Sequence, residues 1–115
     1  MSQEPFHIEE VPDAIAGRRV FRLSGTLWLS SIPQFHSVVK GDADGLVLDM
    51  SGVPIIDSAG VAALVALAVP QQKEPHPLAL VGVSERVRKT LHVTQVEQFF
   101  KFFWNLEEAK AELEK

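Results

Sequence analysis

With 115 residues, 46% of them hydrophobic and 23% charged, the chain has the size and balance of one soluble domain and is too short for two. It contains no cysteine, which excludes disulfides, thiolate catalysis and Cys-ligated metals and fits a reducing cytoplasm. Eleven Lys and Arg against fifteen Asp and Glu leave a formal charge of -4 with no basic stripe, which argues against nucleic-acid binding, where phosphate neutralisation supplies much of the affinity.

The start, Met1-Ser2-Gln3-Glu4-Pro5, shows no basic region followed by an apolar stretch, so no secretory signal is expected. Phe6 to Glu9 and Arg19 to Leu23 alternate apolar and polar residues and predict two half-buried strands joined through Pro12 to Gly17. Ser30 or Ser31 is expected to cap a helix running through Lys40, with Ile32, Phe35 and Val39 on one face and Pro33 in its first turn. Leu46 to Met50 is a short apolar run of the kind that suits a strand covered on both faces.

From Ser58 or Ala59 an apolar helix follows, predicted to be buried all round and stopped by Pro70. Its longest apolar run, Val61 to Val69, is about half of the roughly 20 residues a membrane helix needs, so no membrane insertion is expected. Pro77 to Val81 reads as a further central strand, and Ser84 caps a helix carrying Val87 and Leu91. Phe99 to Trp104 predicts a last strand with both faces covered. Asn105 with Glu108 opens a final helix holding Leu106, Ala109 and Leu113. Two strands followed by alternating helices and strands imply an α/β domain whose open sheet, of four or five strands with about four helices, is parallel in its middle.

Function in such domains gathers where strands end and helices begin. That junction here is Asp49-Met50-Ser51-Gly52-Val53-Pro54-Ile55-Ile56-Asp57-Ser58-Ala59-Gly60. Asp57 and Ser58 fall at a predicted helix N-terminus, where both residue types serve as caps. The segment resembles the signature of STAS domains, above all the bacterial anti-sigma factor antagonists. Asp49, Ser51, Val53, Ile56, Asp57, Ser58 and Gly60 match it in order and without gaps, and the element order is similar over almost the whole chain.

The resemblance implies a STAS fold and a binding module without catalytic residues. In that family, the serine after the second aspartate, here Ser58, is phosphorylated by the partner, an anti-sigma factor that is also a serine protein kinase. The unphosphorylated form holds that partner and frees the sigma factor, and a phosphatase restores the cycle. Asp57, Ser58, Ala59, Gly60 and Trp28 are the implied partner-binding residues. Two departures stand out. Ala59 replaces a usual Ser or Thr, and Gly25-Thr26-Leu27-Trp28 replaces a usual Gly-Glu-Leu-Asp, so both acidic residues are gone and Trp28 becomes a candidate anchor. A STAS subunit docking on a transporter or a larger signalling complex, with Ser58 only a cap, is the other reading the resemblance leaves open.

Other chemistries lack their motifs. A nucleophile elbow needs Gly two residues before the serine, where Ile56 stands. His7, His36, His76 and His92 have no metal-ligand spacing, and no phosphate-binding glycine loop is present, so no metal and no cofactor is expected.

Overall fold

The computed structural model describes residues 5–39, 45–71 and 78–114; Lys40, His76 and Pro77 lie outside them. Five strands, β1 (His7–Glu10), β2 (Val20–Ser24), β3 (Val47–Gly52), β4 (Ala79–Val81) and β5 (Lys101–Phe103), form one sheet in the order β1-β2-β3-β4-β5. β1 runs antiparallel to β2, and the other pairings are parallel. The helices are α1 (Ile32–Val39), α2 (Ser58–Gln71), α3 (Glu85–Val93) and α4 (Leu106–Leu113).

Adjacent strand residues point to opposite faces of a sheet, and this alternation builds two cores. Phe21, Leu48 and Leu80 face Phe35 and Val39 of α1, Val61 and Leu64 of α2, and Val87 and Leu91 of α3. Their neighbours Val20, Val47, Ala79 and Val81 face Ile15 and Ala109 of α4. The apolar run at β3 is thereby explained, since both of its faces are covered by protein.

The caps at Ser84 and Asn105 form as the sequence predicts: Ser84 Oγ accepts from Val87 N at 3.1 Å and Asn105 Oδ1 from Glu108 N at 2.8 Å. Ser31 does not cap α1; its hydroxyl turns inward and donates to the Thr26 carbonyl at 3.0 Å. The far end of α4 is tied down by Glu114, whose carboxylate accepts from Ala16 N at 2.7 Å and from Lys110 Nζ at 3.0 Å. Those contacts hold the Glu114 carboxyl below the usual glutamate range, the Ala16 N–H contributing most.

Further expectations need correction. α2 is not stopped by Pro70 but includes it and runs to Gln71. Nor is α2 buried all round: Val61, Leu64 and Ala68 enter the core, while Ala62, Ala66 and Val69 are exposed among the described residues. Its apolar composition therefore reflects small alanines on the outer face, not enclosure. The last strand is shorter than predicted. Phe99 belongs to a 3-10 turn, Glu97–Phe99, and β5 ends at Phe103, whose carbonyl takes the Gly82 N–H at 3.0 Å. The chain then leaves the sheet for the Asn105 cap, and Trp104 stands 84% exposed instead of entering the core. Among the described residues no helix is long and apolar enough to cross a membrane.

Candidate functional site

The site forms where the loop after β2 meets the start of α2. Leu27 and Ile56 make an isolated parallel bridge, and the Leu27 carbonyl accepts from Asp57 N at 3.3 Å. The two loops therefore extend the sheet by one rung beyond β2 and β3.

Asp57 joins them through its side chain. Oδ1 accepts from Gly60 N at 2.9 Å, the hydrogen bond of a helix N-cap, and Oδ2 accepts from Leu29 N at 3.1 Å. Its backbone carbonyl receives Val61 N at 2.9 Å, the first bond of α2. One carboxylate thus caps the helix and clamps the neighbouring loop.

Gly60 is fixed by close approach. A Cβ there would sit 2.5 Å from the Leu27 carbonyl oxygen, so any side chain would push the two loops apart. Ser58 is the first residue of α2 and is exposed, with no hydrogen-bond partner for its hydroxyl among the described residues. Ala59 beside it is half-buried.

The first half of the motif does separate work. Asp49 is only 6% exposed; Oδ1 accepts from Ser51 N at 3.0 Å and Ser51 Oγ at 2.7 Å, and Arg22 Nε lies 3.5 Å from Oδ2. These groups lie on the α4 face of β3, because Asp49 shares its side with Val47. Gly52 admits β2 closely, since a Cβ there would lie 3.0 Å from the Leu23 carbonyl.

The structure brings Asp57, Ser58, Ala59, Gly60 and Trp28 into one locale. Trp28 is half-buried and immediately precedes Leu29, whose N–H is held by Asp57. Sequence reasoning missed the two most exposed apolar residues there, Leu29 at 72% and Ile55 at 37%. Ile55 was findable: of two adjacent isoleucines in extended chain, one must point away from the core, and Ile56 takes the inside. Leu29 was not, because its spacing of three from Ile32 mimics the buried helix face. Among the described residues no group of His, Asp and Glu side chains is arranged to hold a metal.

A family model for the STAS domain matches residues 7–109. The chain belongs to the STAS domain family. No curated protein matches it. Among solved structures, an anti-sigma factor antagonist from Mycobacterium paratuberculosis is 23% identical, with 95% of this chain and 96% of that one covered and a TM-score of 0.77. The anti-sigma factor antagonist SpoIIAA in its unphosphorylated form is 18% identical, with 95% and 96% covered and a TM-score of 0.71. Murine Slc26a9, an anion transporter, is 25% identical with a TM-score of 0.69; the likeness covers 83% of this chain and 17% of the transporter. The open mixed sheet of five strands with four helices is the STAS fold shared with the antagonists.

Proposed function

We propose that this STAS domain is an anti-sigma factor antagonist, a cytoplasmic bacterial binding module that Ser58 switches by phosphorylation. Unphosphorylated, it holds an anti-sigma factor that is also a serine protein kinase, and the sigma factor is freed for transcription. The kinase phosphorylates Ser58 and ends the binding; a phosphatase restores it. The domain is the substrate in this cycle and carries out no catalysis of its own.

The observation that carries the reading is the setting of Ser58: first in α2, exposed, and next to an aspartate whose carboxylate oxygens are both engaged. An open hydroxyl is accessible to another protein's active site. Once added, a phosphate brings about 1.5 to 2 negative charges at pH 7. The helix N-terminus hosts that charge within the domain through its dipole and open N–H groups. At a contact the same group must be desolvated, and a swing of about 3 kcal/mol changes affinity more than a hundredfold. Asp57, Ala59 and Trp28 complete the partner surface, and the buried Gly60 sets the close approach of the loops behind it.

The test is capture from a host lysate with the wild type, Ser58→Ala and Ser58→Asp as baits, read by mass spectrometry. Ser58→Ala is expected to retain an anti-sigma factor of the kinase type, Ser58→Asp to lose it, and the wild type to carry phosphate on Ser58. Equal capture by both variants would sink the proposal.

A second reading is favoured by the likeness to Slc26a9 and by the loss of acidic residues at Thr26 and Trp28. In it the domain docks on a transporter or a larger signalling complex, and Ser58 only starts the helix. Co-purification of a membrane transporter, unchanged by either Ser58 variant, is its signature.

A further inference from the structure

A cavity of about 240 Å³ opens at the C-terminal ends of β4 and β5, lined by Gly82, Val83, Arg88, Phe102, Phe103 and Trp104. No residue of α2 lines it. Its contents are those of a small polar-tipped pocket: aromatic walls and one placed cation.

Arg88 is that cation, and it is oriented from two sides. Its guanidinium carbon lies 3.7 Å from the centre of the Phe102 ring, and its Nε donates to Glu97 Oε2 at 2.8 Å. Glu97 is itself held by His92 Nδ1 at 2.7 Å, and the two contacts keep its carboxyl below the usual range, so it stays an acceptor. With Nε committed, Nη1 and Nη2 of Arg88 take no hydrogen bond among the described residues. Two parallel N–H donors on a stacked, fixed guanidinium are the geometry that receives a carboxylate bidentately.

Trp104, 84% exposed, supplies the second element: it borders this cavity and also a smaller hollow of about 130 Å³ bordered by Asp49 and Ser51. A planar ring laid against Trp104 gains stacking as well as burial. The Asp49 carboxylate on the far side repels an anion, which directs the ligand's charge toward Arg88. A cavity of this volume falls below the roughly 300 to 1,000 Å³ of drug-sized pockets, which restricts the occupant to about one ring. A single guanidinium partly offset by Glu97 suits a monoanion better than a phosphate dianion.

We infer that this cavity is a binding site for a small aromatic carboxylate, its acid group on Arg88 and its ring against Trp104. The probe is benzoate, and the readout is the indole N–H signals of a 15N-labelled protein, which has only Trp28 and Trp104. Trp28→Phe assigns the two. Benzoate is expected to shift the Trp104 signal saturably with a Kd on the order of 1 mM, equivalent to about 4 kcal/mol, and to leave Trp28 unmoved. Arg88→Gln, and Arg88→Lys, which keeps the charge but not the fork, should each weaken binding at least about tenfold. Cyclohexanecarboxylate and benzyl alcohol should bind correspondingly more weakly, and Ser58→Ala as well as wild type. A non-saturating shift, binding unaffected by both Arg88 variants, or equal binding of inorganic phosphate overturns the assignment.

Discussion

Asp57 offers the sharpest physical test of the site, because one carboxylate makes two separable contacts. Oδ1 caps α2 through Gly60 N, and Oδ2 holds Leu29 N. Losing a helix N-cap costs about 1 kcal/mol, within a range of roughly 0.5 to 2. A hydrogen bond to a charged group contributes about 1.5 to 3 kcal/mol, and the exposed setting of the Leu29 contact places it at the low end. Asp57→Ala is therefore expected to lose about 2 to 3 kcal/mol. Asp57→Asn keeps one acceptor, so the cap survives, the Leu29 clamp fails, and the loss is about 1.5 kcal/mol. Unfolding entropies near 2.1 cal/mol/K per residue convert each kcal/mol into about 4 °C for a chain of 115 residues. The melting temperature should fall about 8 to 12 °C for the alanine variant and about half that for the asparagine variant. Thermal unfolding followed by circular dichroism measures these shifts, and urea titrations the free energies. If Asp57→Ala lies within about 0.5 kcal/mol of wild type, or the two variants are equally destabilised, the two-contact account is wrong.

Gly60→Ala should destabilise by about 1 to 3 kcal/mol, reversing the usual helix preference for alanine, because its Cβ would press on the Leu27 carbonyl; urea midpoints decide the sign. For Glu114, the carboxyl is lowered in the folded state, so the unfolded chain binds its proton first. Its contribution is then fully present above the ordinary value of 4.5 and is lost as pH falls through the lower folded value. The stability gap between wild type and Glu114→Gln should close on acidification, as unfolding midpoints between about pH 3 and 7 would show. Leu64→Ala should cost about 2 to 5 kcal/mol, since the leucine is fully buried between α2 and the sheet, whereas Trp104→Ala should stay within about 0.5 kcal/mol in the same assay.

The order of elements was legible because each boundary carries its own chemistry. Ser84 and Asn105 announce helix starts through local bonds that no tertiary contact needs to correct. The β3 run between Gly45 and Gly52 suited a strand covered on both faces, and the motif from Asp49 to Gly60 put a helix start at Ser58 or Ala59, where the structure has it at Ser58. The misreadings share one cause: composition reports how apolar a segment is, not which neighbours arrive to cover it. α2 lacks a charged residue, yet its outer alanines face away from the core. Trp104 continues an aromatic run, yet β4 pairs with β5 only as far as Phe103. The double role of Asp57 was also out of reach, since Leu29 lies 28 residues away in the chain.

The departure at Thr26 and Trp28 changes the physics of the proposed switch. Thr26 is folded inward at 6% exposure, and its carbonyl anchors Ser31, so its side chain is shielded from an approaching partner. The exposed apolar groups near Ser58 are instead Leu29 and Ile55, and α2 carries no charge from Ser58 to Gln71. Asp57, the charge at the junction, has both oxygens occupied by backbone N–H groups. A partner meeting this face gains from apolar burial, at roughly 25 cal/mol per Å², more than from ion pairing. On a surface of that kind the proposed phosphate on Ser58 would join the single Asp57 charge and act mainly through its own desolvation. In the proposed switch, a hydrated dianion brought against an apolar contact would lose its water on binding, which is costly unless a cation compensates.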